Sequence, residues 1–524
     1  MAAHHELLLQ LDRASPVPLS RQVYEQIRDA VLDGLLQPGD SLPPSRTLAE
    51  QIAVSRTVVL HAYEQLQAEG YIEMRRGSGT FISSTLSHVQ RGGRPYRAPA
   101  GPVRRGKLAP RLTERAAALH DQAPNFLREG SEVLPYDFRH GVPAWDSAPM
   151  DRWQKLLAKA CYQATPATLA YGTAKGSLAL RGEIARMLRH SRGISATPEQ
   201  IVITTGATQA LDLLSRLLLQ SGDGVVIEDP SHPAVRQIFG FSGATVLPVP
   251  VDQEGLCVEQ IPDCHTALGC DGQVVCPPAA PIKLIYVTPS HQFPLGKTMS
   301  LARRLQLLER ARELQCLVVE DDYDSEYRYV GSKLSALAGL GQTGQVVYVG
   351  TFSKVLFPAL RIGYAVLPED LVEPFLAIKW ISDRMTPTIE QEALAEFIGG
   401  GHYARHVKLM TVRYNRRRTS LVDALRREFS GRVRFHGEEA GLHMLIELDS
   451  EVSEELLAER ALRSGVRIYP ASSYYIARKP ERATFLLGYA ALSEIQINTG
   501  IRLLAQVEQE LRASLTSWAS QRPA

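Results

Sequence analysis

Leu19, Val23, Ile27, Val31 and Leu35 recur every four residues, with mostly polar residues between them. That spacing lays one apolar stripe along a helix that ends near Gly34. Pro38-Gly39 and Pro43-Pro44 punctuate the exit. Ser45 stands where an N-cap belongs, opening a short helix through Leu48 and Ile52. Ser55 is a second N-cap candidate, ahead of a helix whose buried face is Val59, Ala62, Tyr63 and Leu66 and which Gly70 stops. Short strands at 71–74 and 80–82 flank the turn Arg75-Arg76-Gly77-Ser78-Gly79. Three helices and a hairpin over residues 13–84 predict a winged helix-turn-helix.

Residues 85–129 have a different texture. Between 88 and 111 stand Arg91, Arg94, Arg97, Arg104, Arg105, Lys107 and Arg111, interleaved with Gly and Pro and with no acidic residue. Such a stretch buries too little apolar surface to fold, so it reads as an extended basic linker that adds nonspecific phosphate contact.

From 130 to 524 strands alternate with helices. The runs 201–205, 225–228, 284–288, 317–320 and 346–349 are short and rich in β-branched residues, and helical patterns such as 211–219 and 301–314 separate several of them. Continuous apolar strands with helices between them predict a mostly parallel sheet covered on both faces. From about 400 onward, a strand at 441–448 with amphipathic helices on either side reads as a smaller α+β subdomain.

Composition narrows the class. The 524 residues are 44% hydrophobic and 22% charged, which excludes a mostly disordered chain. Lys+Arg number 58 and Asp+Glu 56, a net charge of +2, so any basic surface is local. Nothing approaches an uninterrupted membrane span, and the first residues lack a secretion signal, so the expectation is a soluble cytoplasmic protein. Six cysteines suit a reducing compartment. Cys257, Cys264, Cys270 and Cys276, with His265 among them, are spaced too widely for a regular zinc module and read as a surface insertion with free thiols, with no metal.

In a helix-turn-helix the first residues of the second helix meet base edges. Here they are Ser55, Arg56 and Thr57, with Arg46 opening the preceding helix and Arg75, Arg76 and Gly77 on the wing. A winged helix used for protein contact is the alternative. The stretch "LPPSRTLAEQIAVSRTVVLHAYEQLQAEGYIEMRRGSGTFI" resembles the winged-helix domain of the GntR family of bacterial transcription regulators. The resemblance implies that Arg46 and Arg56 contact DNA, with Gly77 at the wing tip. A further family contact, an arginine four residues after Arg56, is Leu60 here.

The strongest chemical signal is Gly350-Thr351-Phe352-Ser353-Lys354 after a strand, with Arg361 seven residues beyond the lysine. A lysine at a strand end can condense with an aldehyde, and hydroxyls with a guanidinium can hold a phosphate. Asp321, in Glu320-Asp321-Asp322-Tyr323, can keep a pyridine nitrogen protonated, with Tyr323 placed for a ring oxygen. The turn Thr204-Thr205-Gly206-Ala207-Thr208-Gln209 sets glycine and hydroxyls at a helix N-terminus, which favours phosphate. Any one of these can be an ordinary solvated or capping residue. Three of them after three strands fit ligand binding at the C-terminal edge of a parallel sheet.

Together these turns resemble the fold-type I pyridoxal-phosphate enzymes of the aspartate aminotransferase class. With the winged helix, nearly the whole chain resembles the MocR/GabR subfamily of GntR regulators, carried by "EDDYDSEYRY", "VTPSHQFPLG" and "GTFSKVLFPALRIGY". The resemblance implies Lys354 as the lysine forming a Schiff base with pyridoxal 5'-phosphate, Asp321 on the pyridine nitrogen and Tyr323 on the ring hydroxyl. It implies Ser353, Thr351, Arg361, Ala207 and Thr208 around the phosphate. It also implies that Tyr171, in "YGTAKGSLALR", reaches the phosphate from the partner subunit of a head-to-tail homodimer.

Two positions depart from the pattern. The family's ring-stacking tyrosine is His232, in "EDPSHPAV", and imidazole titrates near neutrality. The aminotransferase arginine that clamps a substrate carboxylate is replaced by Leu486, with Arg482 the nearest guanidinium in sequence. Losing that clamp removes charge-assisted orientation. The expected function is an operator-binding transcriptional regulator sensing pyridoxal phosphate or its adduct with an amine, in vitamin B6 or amine and amino-acid metabolism, with little or no turnover. The alternative is an active aminotransferase with an accessory DNA-binding domain.

Overall fold

The computed structural model describes residues 9–75, 78–85, 113, 115–117, 119, 134–263, 267–268, 274–275, 281–340, 344–477 and 479–520. Arg76, Gly77, Cys264, His265, Cys270 and Cys276 lie outside them, as does nearly all of the basic linker. The chain divides into two compact units at Leu112 and Thr113.

The first unit holds helices Leu19–Leu32, Ser45–Gln51 and Arg56–Ala68 and a three-stranded antiparallel sheet ordered Ser41–Leu42, Gly79–Ile82, Ile72–Arg75. Val23, Ile27, Val31, Leu48, Val59, Tyr63, Leu66, Ile72 and Ile82 form its core. The apolar stripe is real but stops sooner than the four-residue spacing predicts. Gly34 adopts φ +75°, the chain turns, and Leu36 is buried while Leu35 is 72% exposed. Ser45 is the first helical residue, not the cap; Pro44 occupies that position, and the Ser45 hydroxyl accepts from Arg56 Nε at 3.4 Å. Ser55 does hold the cap position of the next helix, but its side chain makes no capping hydrogen bond. The wing gains a third strand, Ser41–Leu42, which was too short to carry an alternating pattern.

The second unit is built on an eight-stranded sheet ordered Ile201–Thr204, Gly363–Val366, Val346–Thr351, Leu317–Asp322, Ile282–Val287, Gly224–Asp229, Thr245–Asp252, Gly255–Leu256. Its middle strands are parallel, whereas Gly363–Val366 runs against both neighbours. Alternate residues serve opposite faces, as a pleat requires. Val225 and Ile227 join the core under helices Ala207–Leu218, Pro233–Phe241 and Glu369–Ser382, while Val226, Ile285 and Val318 join the core under Leu301–Glu313. Both faces are therefore covered, and the strands can be apolar throughout.

Toward the C-terminus an antiparallel sheet ordered Val433–His436, His443–Leu448, Ala483–Gly488, Tyr469–Pro470 packs with helices His402–Phe429, Glu454–Arg463 and Glu494–Ser520. Strand Val466–Arg467 pairs with Tyr136–Asp137, which brings residues 138–141 toward the large sheet's functional edge. Cys257, expected in a surface insertion, is instead buried in the core beside Asp252 and Arg303, and burial first of all raises its thiol pKa. No helix among the described residues is long and apolar enough to cross a membrane.

Candidate cofactor site

The site forms where strands Ile201–Thr204, Ile282–Val287, Leu317–Asp322 and Val346–Thr351 end. Lys354 lies three residues past the last of these, and its Nζ donates to the Gly141 carbonyl at 2.8 Å. Gly141 has φ +68°, and a Cβ there would lie 2.7 Å from that nitrogen. Burial lowers the Lys354 pKa, partly offset by Asp324 and Asp321. A lowered amine is more often neutral, the form that attacks a carbonyl carbon.

Asp321 is the penultimate residue of its strand, with one carboxylate oxygen accepting from the Tyr286 hydroxyl at 2.7 Å. The other oxygen is buried without a hydrogen-bond partner. Burial raises the Asp321 pKa to about 6. An unmatched buried acceptor costs about 1–3 kcal/mol, and a protonated ring nitrogen would satisfy it. Its neighbour Asp322 points to the opposite face. There it pairs with Arg192 at 2.7 Å and accepts from Tyr348 at 2.6 Å.

Tyr323 donates to the His291 carbonyl at 2.8 Å and lies 3.1 Å from His291 Nδ1. That nitrogen also faces both oxygens of Asp324, at 3.0 and 3.1 Å. His232 caps helix Pro233–Phe241, accepting from Ala234 N at 3.2 Å, and its ring lies 5.1 Å from Phe293. The residue is exposed to solvent; desolvation by the surrounding protein, then Lys354, lower its pKa to about 4.

Around a prospective phosphate, Gly206 has φ +104° and caps helix Ala207–Leu218, whose first residues are Ala207 and Thr208. Arg361, itself at φ +51°, donates to the Thr205 carbonyl at 2.6 Å. A Cβ on Gly206 would sit 3.0 Å from that guanidinium, so glycine keeps the turn open. Ser353 Oγ is buried without a partner, and Thr351 Oγ1 accepts from the Ser353 amide at 3.2 Å. Free helix N–H groups, a guanidinium and an unmatched hydroxyl suit a phosphate. Tyr171 is 78% exposed in a single chain, its ring under the Arg384 guanidinium at 5.4 Å.

Sequence reasoning missed Tyr286, His140, Gly141, Phe293 and His443. Tyr286 and Phe293 flank or belong to the quoted "VTPSHQFPLG", but no local spacing reveals a hydroxyl aimed at the next strand. The others come from distant segments. The clamp region also differs from expectation. Arg482 lies 3.6 Å from Asp449, and the guanidinium that approaches the Leu486 strand is Arg139, which donates to the Tyr469 hydroxyl at 3.1 Å.

On the first unit, Arg46 is 83% exposed and 3.6 Å from Glu50. Arg56 and Thr57 begin the exposed end of helix Arg56–Ala68. Arg75 pairs with Glu73 at 2.6 Å and lies over the Phe81 ring.

Residues 137–502 match the family "Aminotransferase class I and II", and residues 19–82 match "Bacterial regulatory proteins, gntR family". The chain is 34% identical to the uncharacterized HTH-type transcriptional regulator YdeL of Bacillus subtilis, covering 94% of this chain and 97% of that one. It is 33% identical to the probable rhizopine catabolism regulatory protein MocR of Rhizobium meliloti, covering 97% of each. A crystal structure of Pyrococcus horikoshii kynurenine aminotransferase, in complex with PMP, superposes with a TM-score of 0.68 at 30% identity over 78% of this chain and 98% of that one.

Proposed function

This chain belongs to the aminotransferase class I and II family and, through its gntR-family winged helix, to the MocR-type transcriptional regulators; from that premise we propose that it senses pyridoxal 5'-phosphate, or the adduct of that cofactor with an amine. Lys354 holds the cofactor covalently and Asp321 holds its ring nitrogen. Tyr323 faces the ring oxygen, and His232 lies on the ring. Ser353, Thr351, Arg361, Ala207 and Thr208 surround the phosphate. The observation that carries this reading is the pairing of two buried polar atoms without partners, the acceptor Asp321 Oδ1 and the Ser353 hydroxyl, with a lysine whose pKa is lowered.

When bound, the cofactor supplies an aldehyde that reacts reversibly with primary amines. The protein's own groups do the rest. Lys354 in its neutral form would be the nucleophile toward that aldehyde, and Gly141 leaves it room and fixes its amine. Asp321 keeps the ring charged, and the helix at Ala207 positions the phosphate. The working unit in this proposal is a cytoplasmic homodimer in which Tyr171 completes the partner's phosphate site. The winged helices bind operator DNA through Arg46, Ser55, Arg56, Thr57, Arg75, Arg76 and Gly77. Ligand control then requires unequal ligand affinity for two dimer conformations.

The test is a mobility shift of promoter DNA by the protein without cofactor, with pyridoxal phosphate, and with pyridoxal phosphate plus amines. A shift that changes with ligand in wild type and not in Lys354→Ala supports the proposal. Indifference to every ligand contradicts it. Retention of both Lys354 and Asp321 favours one second reading, an active aminotransferase, which steady conversion of an amino acid and a keto acid would support.

A further inference from the structure

The wall facing Lys354 is made of rings and hydrocarbon. Leu486 is fully buried in one cluster with Phe293, Leu445, Ala471 and Tyr474. Across the strands it faces Leu445 and Tyr469. Phe293 is the hub, with the rings of His232, His443, Tyr474, His140 and Tyr323 centred 5.1, 5.3, 5.4, 5.6 and 6.0 Å away. His140 precedes Gly141, whose carbonyl accepts from Lys354 Nζ at 2.8 Å, so this cage borders the reactive amine.

Burial is the largest influence on all three imidazoles. His140 falls to about 3, His232 to about 4, and His443 well below its ordinary value. His140 and His443, set in the cage, are uncharged at neutral pH and offer a carboxylate no cation. Nor is the nearby guanidinium at liberty: Arg139 lies 3.4 Å from Asp137 and donates to Tyr469, whose hydroxyl donates to Asp137 at 2.9 Å. Arg482 is engaged near Asp449, at the opening of the strand. A carboxylate set against this ring-and-hydrocarbon cluster would shed its hydration and gain no counter-charge, whereas an aromatic or aliphatic group would be buried among like surfaces.

We infer that the group admitted beside Lys354 is a carboxylate-free primary amine with an aromatic or hydrocarbon body, and that the wall around Leu486 disfavours α-amino acids. The inference rests on Lys354 and Asp321 forming the cofactor site. The exchange balances without an oxidant or reductant. The amine nitrogen forms the double bond to the carbon that Lys354 held, the double bond from that carbon to Nζ breaks, and the two protons released by the incoming amine pass to Nζ, which leaves as a neutral amine.

Phenethylamine and phenylalanine differ only by the carboxylate, and titrating each into the cofactor-loaded protein while recording the visible spectrum separates the possibilities. Phenethylamine is expected to perturb the spectrum at a concentration at least tenfold lower. Leu486→Arg should narrow or reverse that preference, and Arg139→Gln should leave it unchanged. Equal or tighter binding of phenylalanine by wild type overturns the inference, as does loss of phenylalanine binding in Arg139→Gln. A loaded protein indifferent to phenethylamine also overturns it while leaving the cofactor assignment standing. A protein that never acquires a visible band instead contradicts the assignment beneath it.

Discussion

The amine of Lys354 and the carbonyl of Gly141 meet at 2.8 Å across 213 residues of sequence. The contact exists because Gly141 takes a left-handed φ of +68° and carries no Cβ to displace the lysine. Gly141→Ala therefore adds both backbone strain and a methyl 2.7 Å from Nζ. The expected result is a loss of at least tenfold in apparent affinity for pyridoxal phosphate, read from the visible band, in a protein that still melts cooperatively. Wild-type affinity in that variant would remove Gly141 from the site.

Asp321 makes a pH-dependent prediction. Its carboxyl titrates at about 6 in the fold against an ordinary 3.8. Between those values the folded protein retains a proton that the unfolded chain has released, so the Asp321 contribution to stability falls as pH rises from about 4 to about 6. Asp321→Asn lacks that titration. Relative to wild type, the cofactor-free variant should gain on the order of 3 kcal/mol between pH 4 and pH 7, measured by urea unfolding. It should also bind the cofactor roughly tenfold or more weakly, having lost a charged hydrogen-bond acceptor. A stability difference that stays flat with pH would contradict the assignment.

Asp322 should behave in the opposite way to its neighbour. It is buried against Arg192, with side chains 3% and 8% exposed. Asp322→Ala leaves that guanidinium without its charge partner and should destabilise the second unit by about 3–5 kcal/mol. Denaturant unfolding checks this. A variant as stable as wild type would show that the pair contributes nothing.

That contrast marks how far the sequence was legible. Strand-end turns are local, so Lys354, Asp321 and the turn at Gly206 could be located from a few neighbouring residues. The pleat makes adjacent aspartates point to opposite faces, so only one of Asp321 and Asp322 can face the strand-end site. The apolar wall was not legible, because Phe293, His140, His443 and Leu486 come from four segments that only the folded sheets bring together. Ser45 misled for a local reason: Pro44 already supplies the extended backbone of a helix cap, and the serine hydroxyl faces Arg56 instead.

On the winged helix, Arg56→Ala and Arg46→Ala should each weaken binding to duplex DNA by about 1–3 kcal/mol or lower the salt dependence by about one phosphate contact. Arg75→Ala should cost less, since Glu73 and the Phe81 ring already engage that guanidinium. Fluorescence anisotropy across a salt series distinguishes these outcomes. Unchanged binding by Arg56→Ala would move the DNA contact elsewhere.

The most direct measurement is reductive trapping. The protein is mixed with pyridoxal phosphate, treated with borohydride, digested and read by mass spectrometry. The account predicts a phosphopyridoxyl group on the peptide carrying Lys354 and its disappearance in Lys354→Ala. A label spread over surface lysines, or one that persists in that variant, would contradict it.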